Sequence, residues 1–529
     1  MTGCNNKNER PGPIWPCAAR SYAARSGLTV SHGLALWRGF VTASCAAVLL
    51  AGCASYKGIE TSGQIHRPEQ YATAQSLPAQ HGHWPDASWA KEIGGEPLQS
   101  LIDEALAGNP NLQIAAARVA DAQAVTEAAA ASRNPSYTAH FNSTYERFSE
   151  TYIYPPPYAG SYDTDNTLTL NFGYDFDFWN KHGDQLRSAL AQGQAAEAER
   201  YNARLVIATS VAHAWIQLAR LYADLDLNQQ QLDVASRIAQ LSQLRFHAGL
   251  DPKSEPQQTR QQVANLGAEH EQLLESIALT RNQLAALMGE GPDRGLKIPR
   301  PVLPSDAAVA LPDALPLNLL GRRPDVVAAR WQVEAARNDI AAAKTDFYPN
   351  VNLLAFVGFN SLGLNNLLQS SSRVVGAGPA ISMPIFKSNT LRAALKEHAA
   401  DYDSRVATYN LALTNALHEV ADDVQSLRAV ALQDAQQQRA TAAASGNLQL
   451  AQERARVGTT NMLPALAAEM SLLQQQRLDL DLRARRVDLR VGLIKALGGG
   501  FDASLPDTDA NGDSGPSSSN HSSSTSSAS

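Results

Sequence analysis

Apolar and polar positions along this chain switch between a helical period and a period of two, and they do so twice. From Leu98, residues Leu101, Ala105, Leu106, Leu112, Ala116 and Val119 recur at helical spacing, with Pro110 as an interruption. At Asn134-Pro135 the period becomes two: Tyr137, Ala139, Phe141 and Tyr145 alternate with Thr138, His140, Asn142 and Thr144. After a loop holding Tyr154-Pro155-Pro156-Pro157-Tyr158, a second run sets Leu168, Leu170, Phe172, Tyr174, Phe176 and Phe178 against Thr169, Asn171, Asp175 and Asp177. Each run is about ten residues, the length of a tilted strand crossing a bilayer. An aromatic face backed by amides and carboxylates fits lipid outside and water inside. A soluble hairpin with one buried face would show the same alternation.

The next stretch is helical again and far longer. Between Asp184 and His247 there is no proline and the only glycine is Gly193, so an unbroken helix there would run about 95 Å. Leu218, Leu225, Leu232 and Ala239 keep a heptad, and Leu227, Val234 and Leu241 form a second row. Two seams predict neighbours on both sides, as in a sheet of helices curved into a tube. Ala248-Gly249-Leu250-Asp251-Pro252 then supplies a turn and a helix stop. The expected return helix carries Leu273, Leu274, Ile277, Leu284 and Leu287.

The design recurs. Asn109-Pro110 to Asn134-Pro135 spans 25 residues, as does Arg323-Pro324 to Tyr348-Pro349. Val351, Leu353, Ala355, Val357 and Phe359 alternate next, and Val375, Ala377, Ile381 and Met383 suggest a fourth strand broken by Pro379. Arg245 to Leu250 is echoed by Arg454 to Thr459, and Ala286 to Gly289 by Lys495 to Gly498. The last helix keeps Leu466, Leu473, Leu480, Val487 and Ile494 in a heptad. The pattern predicts one unit used twice, against the alternative of two unrelated hairpins. Four strands cannot close a barrel, and open edges are not tolerated in lipid. Three copies would pool twelve, enough to enclose a pore.

Composition narrows this picture. A net charge of −7 gives no basic excess for nucleic acid, and no run of about 18 apolar residues offers a membrane helix. Arg20, Arg25 and Arg38 precede an apolar run from Phe40 to Leu50, then Leu50-Ala51-Gly52-Cys53. These are the parts of an export leader, and a cysteine after Leu-Ala-Gly resembles a bacterial lipoprotein signal with Cys53 as the acylated residue. Ala54 in the next position favours the outer membrane by the same resemblance. The leader is long for its task, which places the expected start of translation downstream of Met1. Cys4, Cys17 and Cys45 lie before Cys53, so the mature chain holds no disulfide framework and no cysteine metal site. Gly512 to Pro516 imitates a protease serine segment, and Asp507 to Gly512 half a calcium loop, without the context either needs. His81 and His83, or His398 and His418, lack metal-ligand spacing. No enzyme, cofactor or metal site is expected.

These residues resemble a known family. Ala105-Leu106 with Asn109-Pro110, Gly173-Tyr174-Asp175-Phe176-Asp177-Phe178-Trp179 and Arg322-Arg323-Pro324-Asp325-Val326 are similar to motifs of the TolC-type outer-membrane factors. So are Phe347-Tyr348-Pro349, Pro384-Ile385-Phe386, His418 to Asp422 and Ala496-Leu497-Gly498-Gly499-Gly500, over roughly Trp84 to Phe501. The branch resembled is the lipoprotein efflux, or NodT, family. The resemblance implies an α+β membrane protein: a homotrimer with a twelve-stranded transmembrane barrel in the outer-membrane lipid, four strands per protomer, continued by a periplasmic coiled-coil tunnel. It implies a passive exit duct joined to a periplasmic adaptor and an inner-membrane pump of the resistance-nodulation-division class, carrying small toxic molecules. Type I protein secretion and a pore-free structural lipoprotein are the alternatives.

Residue by residue, the resemblance makes Ala248, Gly249 and Leu250, with Val457, Gly458 and Thr459, the adaptor-contacting hairpin tips; simple helix stops are the plainer reading. Relatives place aspartates just past the second tip. Here Pro464 and Ala467 stand there, so a hydrophobic aperture of Met462, Leu463, Pro464 and Leu466 is expected. The implied organisation is a leader over 1–52, a wrapping segment over 53–97 and a first repeat over 98–290. A linker over 291–323, a second repeat over 324–500 and a Ser-rich tail over 501–529 follow.

Overall fold

The computed structural model describes residues 55–67, 70–73, 75–77, 84–86, 88–304 and 321–503. Contacts divide the chain into units of 1–54 and 55–529, and every described residue belongs to the second. The leader, Cys53, His81, His83, residues 305–320 of the linker and nearly all of the Ser-rich tail lie outside the described residues.

The helices and strands follow the two periods. Helix α1 (Trp89–Gly108) begins nine residues before Leu98, with a kink at Gly95 that divides it, and α2 (Pro110–Ala131) follows from an Asn109 cap. Strands β1 (Ser136–Arg147) and β2 (Tyr162–Asp175) lead into α3 (Lys181–His247), 67 residues and about 100 Å long. Helix α4 (Ser254–Leu287) returns beside it, and a short α5 (Pro292–Leu296) opens the linker. The order then repeats with α6 (Pro324–Thr345), β3 (Asn350–Leu362), β4 (Arg373–Ser382), the 69-residue α7 (Ser388–Arg456) and α8 (Leu463–Ala496).

Three strand expectations are corrected, the smallest being that Met383 lies just past the end of β4. Phe176 and Phe178 fall past the end of β2, because Asp177 takes φ 46° and Asn180 φ 62° where the chain turns into α3. Pro379 does not break β4 but pairs with Leu353 inside it. Proline is tolerated there because β4 is an edge strand of this sheet.

The four strands form one antiparallel sheet in the order β1-β2-β3-β4. The register puts Tyr137, Phe172, Ala355 and Ala377 in one row, and Phe141, Leu168, Phe359 and Arg373 in another. One face therefore carries Leu168, Leu170, Phe172, Tyr174, Val357 and Val375, an apolar band about 20 Å tall along β2. Beyond it, toward the loops, the same face turns polar at Ser143, Asn166 and Ser361. The opposite face carries Thr138, His140, Asn142, Thr167, Thr169 and Asn171. A Cβ at Gly358, on that second face, would lie 2.1 Å from the Leu168 carbonyl oxygen and 2.7 Å from Thr169 Cα. Glycines of this kind are where a sheet can bend.

Both heptad rows of α3 are buried or half-buried, and both pack on α4 and α8, at different levels. Leu218 and Leu225 join a core with Leu98, Leu101 and Ile102 of α1, Ile277 and Leu284 of α4, and Val487 and Val491 of α8. Leu227, Val234 and Leu241 lie with Val263 and Leu266 of α4 and with Leu466, Met470 and Leu473 of α8. Leu274, by contrast, is exposed on α4.

Candidate functional site

The first tip is a helix end closed by its own backbone. Leu250 N–H donates to Arg245 O at 2.9 Å and Gly249 N–H to Phe246 O at 3.0 Å, with Gly249 at φ 74°. This paired bonding around a left-handed glycine satisfies the last carbonyls of α3. The second tip repeats it: Thr459 N–H reaches Arg454 O at 3.1 Å, Gly458 N–H reaches Ala455 O at 3.2 Å, and Gly458 has φ 77°. Ala248, Gly249, Leu250, Val457, Gly458 and Thr459 are all exposed. The tips differ in one brace. Arg245 grips Asp251 at 2.7 and 2.8 Å, and this hydrogen bonding holds the Asp251 carboxyl below its usual range.

Past the second tip, Met462 and Pro464 are exposed and Leu463 is half-buried. Leu466 is not with them. It is buried against Val234 and Ala235 on the stripe it shares with Met470 and Leu473, so it holds the two hairpins together instead of facing solvent. Close by, Arg237 of α3 meets Glu469 of α8 at 2.9 Å. Farther along, Asp224 is buried between Arg220 and Arg477, each 3.2 Å away, while Arg220 reaches Asp481 at 2.9 Å and Arg477 pairs with Glu269. Burial pushes the Asp224 carboxyl up, and the two guanidiniums oppose that.

At the far ends of the return helices sits a feature that sequence reasoning recorded as motif and did not explain. Asn109 caps α2 through its Oδ1, and its Nδ2 donates to Leu287 O, at the end of α4, at 2.8 Å. Arg323, placed likewise before α6, donates to Ala496 O at the end of α8 at 3.3 Å. Its guanidinium also binds Asp325 at 2.6 and 3.0 Å and Glu419 of α7 at 2.7 Å, and is 7% exposed. Beside each cap a glycine packs without room for a side chain. A Cβ at Gly289 would lie 2.3 Å from Gly108 O, and one at Gly498 would lie 1.8 Å from Arg322 O. The Arg-Arg-Pro-Asp and Leu-Gly-Gly-Gly motifs are thus two halves of one knot. Their separation in sequence hid the contact.

Next to this knot, Asp423 of α7 has its carboxyl pushed up to about 6, first by burial and then by Glu419, Asp422 and Asp488, with His213 opposing. Its folded value lies above the ordinary 3.8, so the ionised form costs stability above about pH 6, and that cost fades as the pH falls toward 4. Asp423→Asn is expected to stabilise the protein by ~1 kcal/mol at pH 7.5, a figure reduced for partial solvent screening. At pH 4 the gain should vanish. Thermal melts of the variant and wild type at the two pH values measure it.

The profile of the outer membrane efflux protein family matches residues 101–290 and 315–499. The fusaric acid resistance protein FusA of Burkholderia cepacia is 35% identical over 355 residues, 66% of this chain and 67% of its own length. The multidrug resistance outer membrane protein MdtP of Escherichia coli K12 is 30% identical over 466 residues, 86% of this chain and 95% of its own. The crystal structure of the outer membrane protein VceC of Vibrio cholerae superposes with a TM-score of 0.73 at 38% identity, covering 79% of this chain and all of that one. With the sheet, the long hairpins and both knots accounted for by the matched segments, the chain belongs to the outer membrane efflux protein family, whose members are outer-membrane channels.

Proposed function

We infer that three copies of this chain pool their sheets into a twelve-stranded barrel and their hairpins into a periplasmic tunnel. Together they form the exit duct of a tripartite efflux system for small toxic molecules. The observation that carries this reading is the sheet itself: four strands with two open edges, one apolar face and one mainly polar face. Such a sheet has no stable place in lipid unless other copies cover its edges. The element order, running twice with the same knot and the same tip, supports one duplicated unit. The names of FusA and MdtP supply the class of cargo.

In this reading Ala248 to Leu250 and Val457 to Thr459 meet a periplasmic adaptor, which links the duct to a resistance-nodulation-division pump. Met462, Leu463 and Pro464 ring the periplasmic aperture without carboxylates. Cys53 carries acyl chains, each buried CH₂ adding about 0.8 kcal/mol of membrane affinity. No chemistry is performed; adaptor binding favours an open arrangement of the hairpins. The domain limits read from the sequence stand with this proposal; α1, from Trp89 to Gly108, runs across the limit between the wrapping segment and the first repeat.

Single-channel recording in planar bilayers tests the reading. Discrete openings are expected, and Arg237→Ala, which frees α3 from Glu469 of α8 near the tips, should lengthen the time spent open severalfold. Protein that inserts stably yet stays silent in both forms would overturn the duct.

A further inference from the structure

The face of the sheet opposite the apolar band is polar along β1 and β2 but not along β3. Leu354 and Phe356 lie on it, because Phe356 pairs with Asn171 and Leu354 with Gly173, both residues of that face. They are 51% and 43% exposed, adjacent large apolar side chains on a face whose other residues are mostly polar or glycine, with Leu362 and Val374 as further apolar positions nearer the loops. The next strand makes room for them. Gly376 pairs with Phe356 and Gly378 with Leu354, and a Cβ at Gly376 would lie 2.6 Å from the Phe356 ring. The ring therefore lies over bare backbone instead of standing upright among side chains.

Resting on the duct reading, we propose that Leu354 and Phe356 form an apolar contact patch on the barrel wall. It is a specificity-determining subsite that touches amphipathic or aromatic small molecules as they pass. In a barrel of twelve strands the lumen is too wide for wall side chains to meet across it, so no second copy covers the patch. Two side chains per protomer also offer far less area than the roughly 800 Å² per partner of a stable protein interface. The occupant that fits is a small molecule with a flat or branched apolar surface. Around it Asn171 and Thr169 of β2 supply polar edges for hydrogen bonding. A polar wall alone would pass hydrated ions and amphiphiles alike; the patch slows the amphiphile by holding its apolar side out of water.

The test uses the full-length protein in planar bilayers with ethidium as probe. Thr167→Cys, on the same face, first reports whether a water-soluble methanethiosulfonate changes the conductance. Ethidium is expected to interrupt the potassium chloride current of wild type briefly and repeatedly. Phe356→Ala and Leu354→Asn should each shorten the interruptions by about tenfold, from loss of apolar contact. Val357→Ala, on the opposite face, should leave them unchanged. Native mass of each variant shows that assembly is intact, and Phe356→Leu keeps an apolar side chain should Phe356→Ala fail to assemble. Interruptions of equal length in wild type, Phe356→Ala and Leu354→Asn would overturn the subsite and leave the duct standing. Phe356 would then serve only to cover the Gly376 backbone, and its loss would lower the melting temperature alone. A Thr167→Cys protein whose current ignores the reagent would overturn the duct reading, and the subsite with it.

Discussion

Gly498→Ala is expected to abolish accumulation of the folded protein. An added Cβ would lie 1.8 Å from Arg322 O and 2.8 Å from Arg322 C, and Gly498 sits at φ 93°. Two costs combine. The left-handed backbone is unfavourable for alanine by about 1–2 kcal/mol, and the overlap falls on backbone that no rotamer change can relieve. That backbone leads into α6, and the next residue is Arg323, buried and bonded to Asp325, Glu419 and Ala496. Moving it breaks a buried ionic cluster, a loss of about 3–5 kcal/mol when one partner is removed. The sum rivals the ~5–15 kcal/mol stability of an ordinary domain. Gly458→Ala is the control: it has φ 77° but nothing within 4 Å of the added carbon, so only the ~1–2 kcal/mol backbone cost remains. Membrane yield and thermal melts should separate the two variants clearly. Equal behaviour would mean that the knot does not hold the second hairpin.

A lysine at Leu170 should be far more damaging than a lysine at its neighbour Thr169. The two residues are adjacent on β2 and point to opposite faces of the sheet. Leu170 sits inside the apolar band, where Lys on a lipid face costs about 2–4 kcal/mol near the bilayer midplane. A trimer would incur that cost three times. Thr169 lies on the polar face, where, in the duct reading, water surrounds the new ammonium and the fold tolerates it. The expected outcome is loss of Leu170→Lys from the outer membrane, with Thr169→Lys present at near wild-type amount. The second variant should also conduct anions more readily than wild type, since its added charge attracts them. Reversed tolerance would exchange lumen and lipid sides.

Much of this was legible in the sequence because two periodicities carry most of the fold. A period of two placed all four strands, and heptads placed both seams of α3 and the buried stripe of α8. What failed was local. The aromatic alternation of β2 runs on through Phe176 and Phe178, and only positive φ at Asp177 and Asn180 ends the strand. Composition gave no hint that α1 begins at Trp89 with a kink at Gly95. Leu466 fitted both a heptad and an aperture, and packing against Val234 decided for the heptad. The knots were invisible for another reason. Asn109 and Leu287 are 178 residues apart, and Arg323 and Ala496 are 173 apart. Such contacts are set by where two long hairpins end, which no window of sequence reports.

The most direct test of the central claim is the native mass of the detergent-extracted protein, measured with its bound lipid stripped in stages. Three copies holding together, with both sheet edges of every copy covered by a neighbour, is the predicted result. A single copy that stays folded and membrane-inserted on its own would contradict it.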